Sequence, residues 1–450
     1  MIGARVKHKL MMATLFFLGH SCFAADLTGN WIAEIVTAGE PQYARVNLSA
    51  EGGKLSGKWG ESTITGSVSQ EIIELVLTDP QGKQIGSLTG HRDDEKIVGT
   101  GTLSGRRAGR GGSTGSAAPG FGGFGSGPVQ ISWNLKRAAL SPAKPQLHQF
   151  SPTDLYATYS GSLKPALAIF PGDTVRTWTA DAGGVDAKGV RHRGGDSAVG
   201  PFYIEGALPG DTLVVHFLKI KTNRSSARQG TRVNPHAITA AYLVAAKYDP
   251  EFSGEWNLAP ETGVATLAHP SEHLKNYSVP LKPMLGCISV APPGEEQYRG
   301  GDLGPFGGNL DYNDNVEGTT IYLPVYHPGA LFGIGDGHAA MGDGEVTGSA
   351  LETSMDVEFS VDIIKDDASV QPRAETKDYL ISFGVSGSVP ESIQIATSQL
   401  ATWVKRDYKL NDSEVAILFG AALKYDITEL VDAKYDVVAK IPKSILASMK

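Results

Sequence analysis

From residue 26 to about 137 the chain alternates apolar and polar residues in short runs, among them Trp31-Ile32-Ala33-Glu34-Ile35-Val36, Ala44-Arg45-Val46-Asn47-Leu48 and Ile72-Ile73-Glu74-Leu75-Val76-Leu77. A two-residue period sends one face of an extended segment to a core and the other to water. The Gly-Gly, Asp-Pro and Gly-Lys steps between the runs tolerate the backbone angles of tight reversals. The pattern predicts a small antiparallel β-domain over 26–137, ending in a strand at 129–135. A Gly/Ser/Ala/Arg tract at 105–127, with Phe121 and Phe124 inside it, is too poor in apolar residues to hold a conformation and reads as a flexible loop. No spacing in this stretch fits a catalytic or metal site, so it reads as a binding or spacer module.

Beyond a linker at 138–152 the same period returns with longer loops, in Leu167-Ala168-Ile169-Phe170, Thr174-Val175-Arg176-Thr177-Trp178, 212–220, 319–325 and 355–364. After Arg373 the period changes. Ile393, Ala396, Leu400 and Val404 recur at helical spacing, and Asn411-Asp412-Ser413-Glu414 is a capping box ahead of Val415, Leu418 and Ala422. The expected molecule is mainly β: a β-sandwich-like catalytic domain over 153–450 with C-terminal α-helices in a tail at 376–450, preceded by the small antiparallel β-domain.

Composition narrows the class. With 41% hydrophobic and 20% charged residues in 450, the chain is neither disordered throughout nor a coiled coil nor a polytopic membrane protein. Arg5, Lys7 and Lys9 precede an apolar run at 10–18 and the small residues of Ser21-Cys22-Phe23-Ala24-Ala25. This is the layout of a secretory signal over 1–24, with an uncleaved anchor as its alternative. The run is about half the roughly 20 residues a membrane span needs, so no membrane attachment is expected after cleavage, and the protein is expected to be periplasmic or secreted. Cleavage leaves 37 basic against 48 acidic residues, a formal charge of −11, which argues against a nucleic-acid partner. It also leaves Cys287 as the single cysteine, within the apolar run Leu285-Gly286-Cys287-Ile288-Ser289-Val290, where a buried structural thiol is expected and no intrachain disulfide can form.

The candidate chemistry is concentrated between Gly307 and Glu352. There Gly307-Gly308-Asn309-Leu310-Asp311, Gly335-Asp336-Gly337-His338, Gly342-Asp343-Gly344-Glu345 and Glu352 bring acids, one histidine and glycines together. Asp336 and His338 are two apart and would share a face of an extended segment, a common start of a divalent metal site. Asp343 and Glu345 repeat that spacing, while a solvated acidic turn is the alternative for either pair.

These motifs, with Leu323-Pro324-Val325, Gly329-Ala330-Leu331-Phe332, Phe170-Pro171-Gly172-Asp173-Thr174-Val175 and Gly200-Pro201-Phe202-Tyr203-Ile204-Glu205-Gly206-Ala207, fall in the order and spacing of the acetamidase/formamidase family. The region from about 153 to 445 resembles that family and the first domain does not. The resemblance implies hydrolysis of a short amide to a carboxylate and ammonia on a β-rich fold with a bound divalent metal, zinc as the first expectation and calcium as the alternative. Asp336, His338 and Asp343 are the expected metal ligands. Asp181, in Thr179-Ala180-Asp181-Ala182, matches a place where the family carries an acid and would complete the set, a turn aspartate being its alternative. Glu352, Glu345 and Asp311 are the expected catalytic carboxylates, Glu352 the first choice for proton transfer and a loop-holding ion pair its alternative. His192, His236 and His327 are not expected at the site. No Gly-x-Ser-x-Gly elbow is present, which disfavours a covalent acyl-enzyme. The partner expected is a small amide, with a homo-oligomer left open. A hydrolase of larger amides and a non-catalytic binding protein on the same fold are the competing functions.

Overall fold

The computed structural model describes residues 27–104 and 127–449. The expected signal at 1–24 and nearly all of the Gly-rich tract lie outside the described residues. The chain divides into two compact units, the first ending at Leu140 and the second running from Ser141.

In the first unit eight strands, Gly29–Thr37, Glu40–Glu51, Lys54–Trp59, Ser62–Ser69, Ile72–Thr78, Gln84–Asp93, Lys96–Ser104 and Pro128–Arg137, each pair with the next. Gly29–Thr37 also pairs with Pro128–Arg137 and closes a barrel, which leaves no open sheet edge. The alternation read from the sequence is the inside-outside pattern of the barrel: Trp31, Ala33 and Ile35 are buried while Ile32, Glu34 and Val36 are less so. Side chains fill the interior, with Trp59 and Trp133 meeting edge to face at 6.0 Å. Glycine is required beneath Trp133, because a Cβ on Gly99 would come within 2.8 Å of the indole and 2.7 Å of the Gly90 backbone.

The second unit is built on two larger sheets. One has six strands in the order Leu167–Ile169, Ala198–Ile204, Phe332–His338, Met284–Ser289, Gly307–Asn309 and Leu303–Gly304. The other has nine, with Thr212–Thr222 between Thr320–Pro324 and Met355–Ile364 near its middle. Both sheets contribute to one core, in which Phe202 and Phe332 of the first sheet meet Phe359 of the second at 5.2 and 5.3 Å. The unit is mainly β with a few C-terminal helices.

Two boundaries differ from the sequence reading. The stretch expected as linker contributes the strand Leu147–Gln149, paired in parallel with Thr174–Thr179. The tail expected as helical carries the helices Val389–Tyr408 and Asp412–Ala422, but also the strands Tyr379–Ser386, Lys424–Glu429 and Tyr435–Pro442. Tyr379–Ser386 is buried on both faces for almost its whole length, so it lacks the alternation that marks a half-exposed strand. Helix Val389–Tyr408 packs Ala396, Leu400 and Val404 against Ala439 and Ile441 of Tyr435–Pro442. The capping box is present: Asn411 accepts from Glu414 N, and the Glu414 side chain accepts from Asn411 N. Among the described residues no helix is long and apolar enough to cross a membrane.

Candidate metal centre

The site forms where the strand Phe332–His338 ends. Its neighbour Met284–Ser289 runs antiparallel to it and brings Gly286 alongside Asp336, while Leu310 N donates to Gly286 O and holds Asp311 over the same spot. A Cβ on Gly286 would lie 2.3 Å from Asp311 Oδ1 and 2.4 Å from Asp336 Oδ2. The glycine is thus the floor of a carboxylate-lined cradle. Glu352 is placed by bridges to both Arg228 and His338, and Glu345 by the turn that follows Gly342.

These side chains converge on the His338 imidazole. Its Nε2 is 3.3 Å from Asp336 Oδ2, 3.2 Å from Glu352 Oε1 and 3.8 Å from Glu345 Oε1, and its Nδ1 is 3.8 Å from Asp311 Oδ1. Asp311, Asp336 and His338 form one set of donors close enough to share an ion, and His338, Glu345 and Glu352 form another. Asp311, Asp336 and Glu345 all have positive φ, at 39°, 55° and 41°. Such backbone costs about 1–3 kcal/mol per residue and collects at functional sites. Asp336 therefore does not lie on regular extended backbone; the left-handed turn, rather than strand alternation, aims its carboxylate at His338.

The electrostatics are those of acids crowded around one buried imidazole. Both nitrogens of His338, Asp311 Oδ1, Asp336 Oδ1 and Glu352 Oε2 are buried without a hydrogen-bond partner. Burial pushes the Asp311 and Glu345 carboxyls far above the usual carboxylate range, with neighbouring acids adding to the effect, and raises Glu352 too. Burial works against charge on His338, but Asp336 and Glu352 outweigh it and hold the imidazole well above its ordinary pKa. Unpaired buried charge is expensive, and a divalent cation on this oxygen-rich, single-imidazole donor set would remove both the orphaned atoms and the mutual repulsion. The residues present fit such an ion.

Two expected ligands are elsewhere. Asp343 is exposed and accepts from Asn313 Nδ2 at 2.7 Å. Left-handed Gly344 and Glu345 reverse the chain between them, so the i, i+2 pair does not share a face. Asp181 is buried but already paired: Arg224 Nη2 donates to its Oδ2 at 2.7 Å and Val185 N to its Oδ1 at 2.8 Å. Arg224 also donates to the Glu352 carbonyl, so Asp181 reaches the site only through the arginine. Asp311, expected as catalytic, stands with Asp336 and His338 as a donor. His192 pairs with Asp186 and His327 bonds Pro292 O, away from the cluster. The Cys287 thiol donates to Asn309 Oδ1, and burial, with the Asp336 and Asp196 charges, raises it well above its ordinary value, which makes it a poor nucleophile.

Sequence reasoning missed Asp196, Glu429 and Asp432. Asp196 is pushed up to about 8 by burial and then by Asp336, Asp432 and Glu352. It sits in Gly194-Gly195-Asp196, a glycine-then-acid step like Gly335-Asp336, and that likeness was the available signal. Glu429 and Asp432 come from the C-terminal segment and carry no such mark.

Residues 305–399 match the model of the Acetamidase/Formamidase family. A Schizosaccharomyces pombe protein named after formamidase is 27% identical over 215 residues, covering 38% of this chain and 52% of its own. The formamidase of Methylophilus methylotrophus is 26% identical, covering 42% of this chain and 59% of its own. The chain thus spans between half and three fifths of the length of these curated relatives. The crystal structure of a predicted acetamidase/formamidase from Thermoanaerobacter tengcongensis superposes with a TM-score of 0.58 at 26% identity, over 68% of this chain and 99% of the other. By fold and by motif the chain is related to the acetamidase/formamidase family.

Proposed function

We propose that the second unit is a metal-dependent amidohydrolase that releases ammonia from a short linear amide. The observation that carries the reading is the convergence of Asp311, Asp336, Glu345 and Glu352 on His338, with orphaned donor atoms, in a unit related to acetamidases and formamidases. Asp311, Asp336 and His338 would hold the ion, and the imidazole favours zinc over a purely oxygen-liking cation. A cation there supplies Lewis acidity to an amide carbonyl and acidity to a water molecule. Glu352, buried and raised, takes the proton from the attacking water and passes it to the departing nitrogen, so amide and water become carboxylic acid and ammonia, which part as carboxylate and ammonium. Glu345 and Glu352 are each only 8% exposed beside the fully buried imidazole, and so little exposure favours a small substrate.

Ammonia release over formamide, acetamide and longer amides, with metal analysis of the purified protein, tests the reading; no turnover in the zinc-loaded protein across that series would sink it. Glu352→Gln is expected to lose on the order of a hundredfold or more in turnover with metal content and melting temperature nearly unchanged. A loss of stability with the folded fraction still active would make Glu352 a structural residue instead.

We also propose that the protein is exported, supported by the basic, then apolar, then small-residue order of its first 25 residues. Mass spectrometry of the exported protein is expected to find Ala25 at the N-terminus, and an intact Met1 would refute cleavage.

A further inference from the structure

Beside the His338 cluster lies a second gathering of acids, of which the proposed reaction uses only Asp311. Asp311, Glu429 and Asp432 each place a carboxylate oxygen within 4.8 Å of the others. Asp311 and Glu429 are completely buried. Glu429 is set by the C-terminal segment, where its backbone bridges to Gly344, and its Oε1 accepts from Val431 N and Asp432 N. Its Oε2 has no partner at all, although it is buried. Asn309 Nδ2 reaches both Asp311 Oδ2 and Asp432 Oδ2, and no lysine or arginine among the described residues forms an ion pair with any of the three acids. Lys434, the nearest basic residue in sequence, donates to Leu303 O.

Three acids gathered with no lysine or arginine on them, one carrying a fully buried and unpartnered oxygen, make a donor set suited to a cation. We infer that Asp311, Glu429 and Asp432 form a second divalent-cation position, with Asp311 shared between it and the Asp336–His338 set. Its donors are all oxygen, so it takes a hard ion of the calcium, magnesium or manganese class, whereas the imidazole-bearing position takes zinc. Rotation of the Asn309 carboxamide about its last bond would turn its oxygen toward the same ion as a fourth donor. A carboxylate bridging two cations is the usual link in paired metal sites, and here it ties the C-terminal segment to the central strand. The inference deepens the reading of this centre without depending on amide turnover.

The test is metal stoichiometry on the full chain, stripped with chelator, reloaded with zinc and calcium together, dialysed, and read by native mass spectrometry and elemental analysis. The wild type is expected to retain about one zinc and about one calcium per chain. Glu429→Gln is expected to lose the calcium and keep the zinc, and Asp432→Asn, at a less buried position, to weaken calcium binding at least tenfold with the fold intact. His338→Ala is expected to do the reverse, losing zinc and keeping calcium. Calcium retention unchanged in both Glu429→Gln and Asp432→Asn, or zinc alone in the wild type, overturns the inference. Calcium bound by a protein that turns over no amide would leave this position standing while removing the proposed reaction.

Discussion

At the scale of single residues, the proposed centre depends on what is absent as much as on its acids and imidazole. Gly286 leaves the space into which Asp311 and Asp336 turn, and a methyl group there would stand 2.3–2.4 Å from their oxygens, well inside contact distance. Gly286→Ala is therefore expected to cut metal affinity by at least tenfold at small cost to the fold, because the carboxylates must move and their geometry is what binds. Metal titration of the purified variant checks this, and affinity equal to wild type would show that the acids do not act at that spot. The same scale explains why Asp343 lies outside the cluster while Glu345 faces His338: a backbone in the left-handed region turns one carboxylate inward and leaves its neighbour in solvent.

At the scale of elements, the loop that carries Asp181 is tied to the segment ahead of the strand Met355–Ile364 by one arginine. Arg224 pairs with Asp181 and also donates to the Val185 and Glu352 carbonyls, so it joins three stretches that surround the centre. The pair is largely buried, at 13% and 8% side-chain exposure. Removing the cation leaves Asp181 buried and uncompensated, and Arg224→Ala is expected to lose about 3 kcal/mol of stability. Denaturant unfolding measures it. Arg224→Ala, Asp181→Ala together should recover part of the loss, since the stranded charge is then gone; a double variant no more stable than the single would place the effect elsewhere.

For the molecule as a whole, buried acids make stability depend on pH in an unusual direction. Burial pushes Asp196 and Asp436 up to about 8 and Glu429 up to about 7, with Asp336 adding to Asp196 and Asp432 to Glu429. Their unfolded values are ordinary, near 4. The folded state therefore holds protons that the unfolded state has released, and the stability these groups contribute is complete below about pH 4 and lost as pH rises toward 8. Acids held below their ordinary range, such as Asp173, Asp186 and Asp314, act oppositely but are ionised in both states above about pH 5. The metal-stripped protein is expected to melt several degrees lower at about pH 8 than at about pH 5, and reloading with divalent cations is expected to restore the part of that difference carried by Glu429, the one of the three that stands in a donor set. Calorimetry of both forms across the range decides it; a stripped protein equally stable at both pH values would mean these carboxyls are not protonated in the fold.

What the sequence alone determined is what local periodicity can encode. The barrel strands, Met355–Ile364 and the capped helices Val389–Tyr408 and Asp412–Ala422 follow from alternation, helical spacing and caps, because each of those signals is written within a few consecutive residues. The family relation and the set Asp311, Asp336, His338, Glu345 and Glu352 were legible for the same reason, being crowded into one glycine-rich stretch. Only the tertiary structure decided which acids meet. Asp181 belongs to Arg224, Asp343 to solvent, and Asp196, Glu429 and Asp432 to the centre, because strand pairing brings ends remote in sequence to one point while left-handed turns override the facing that spacing implies. The strands Tyr379–Ser386 and Tyr435–Pro442 were hidden for a related reason: buried on nearly every side, they alternate nothing, and burial is settled by what packs against a segment rather than by the segment itself.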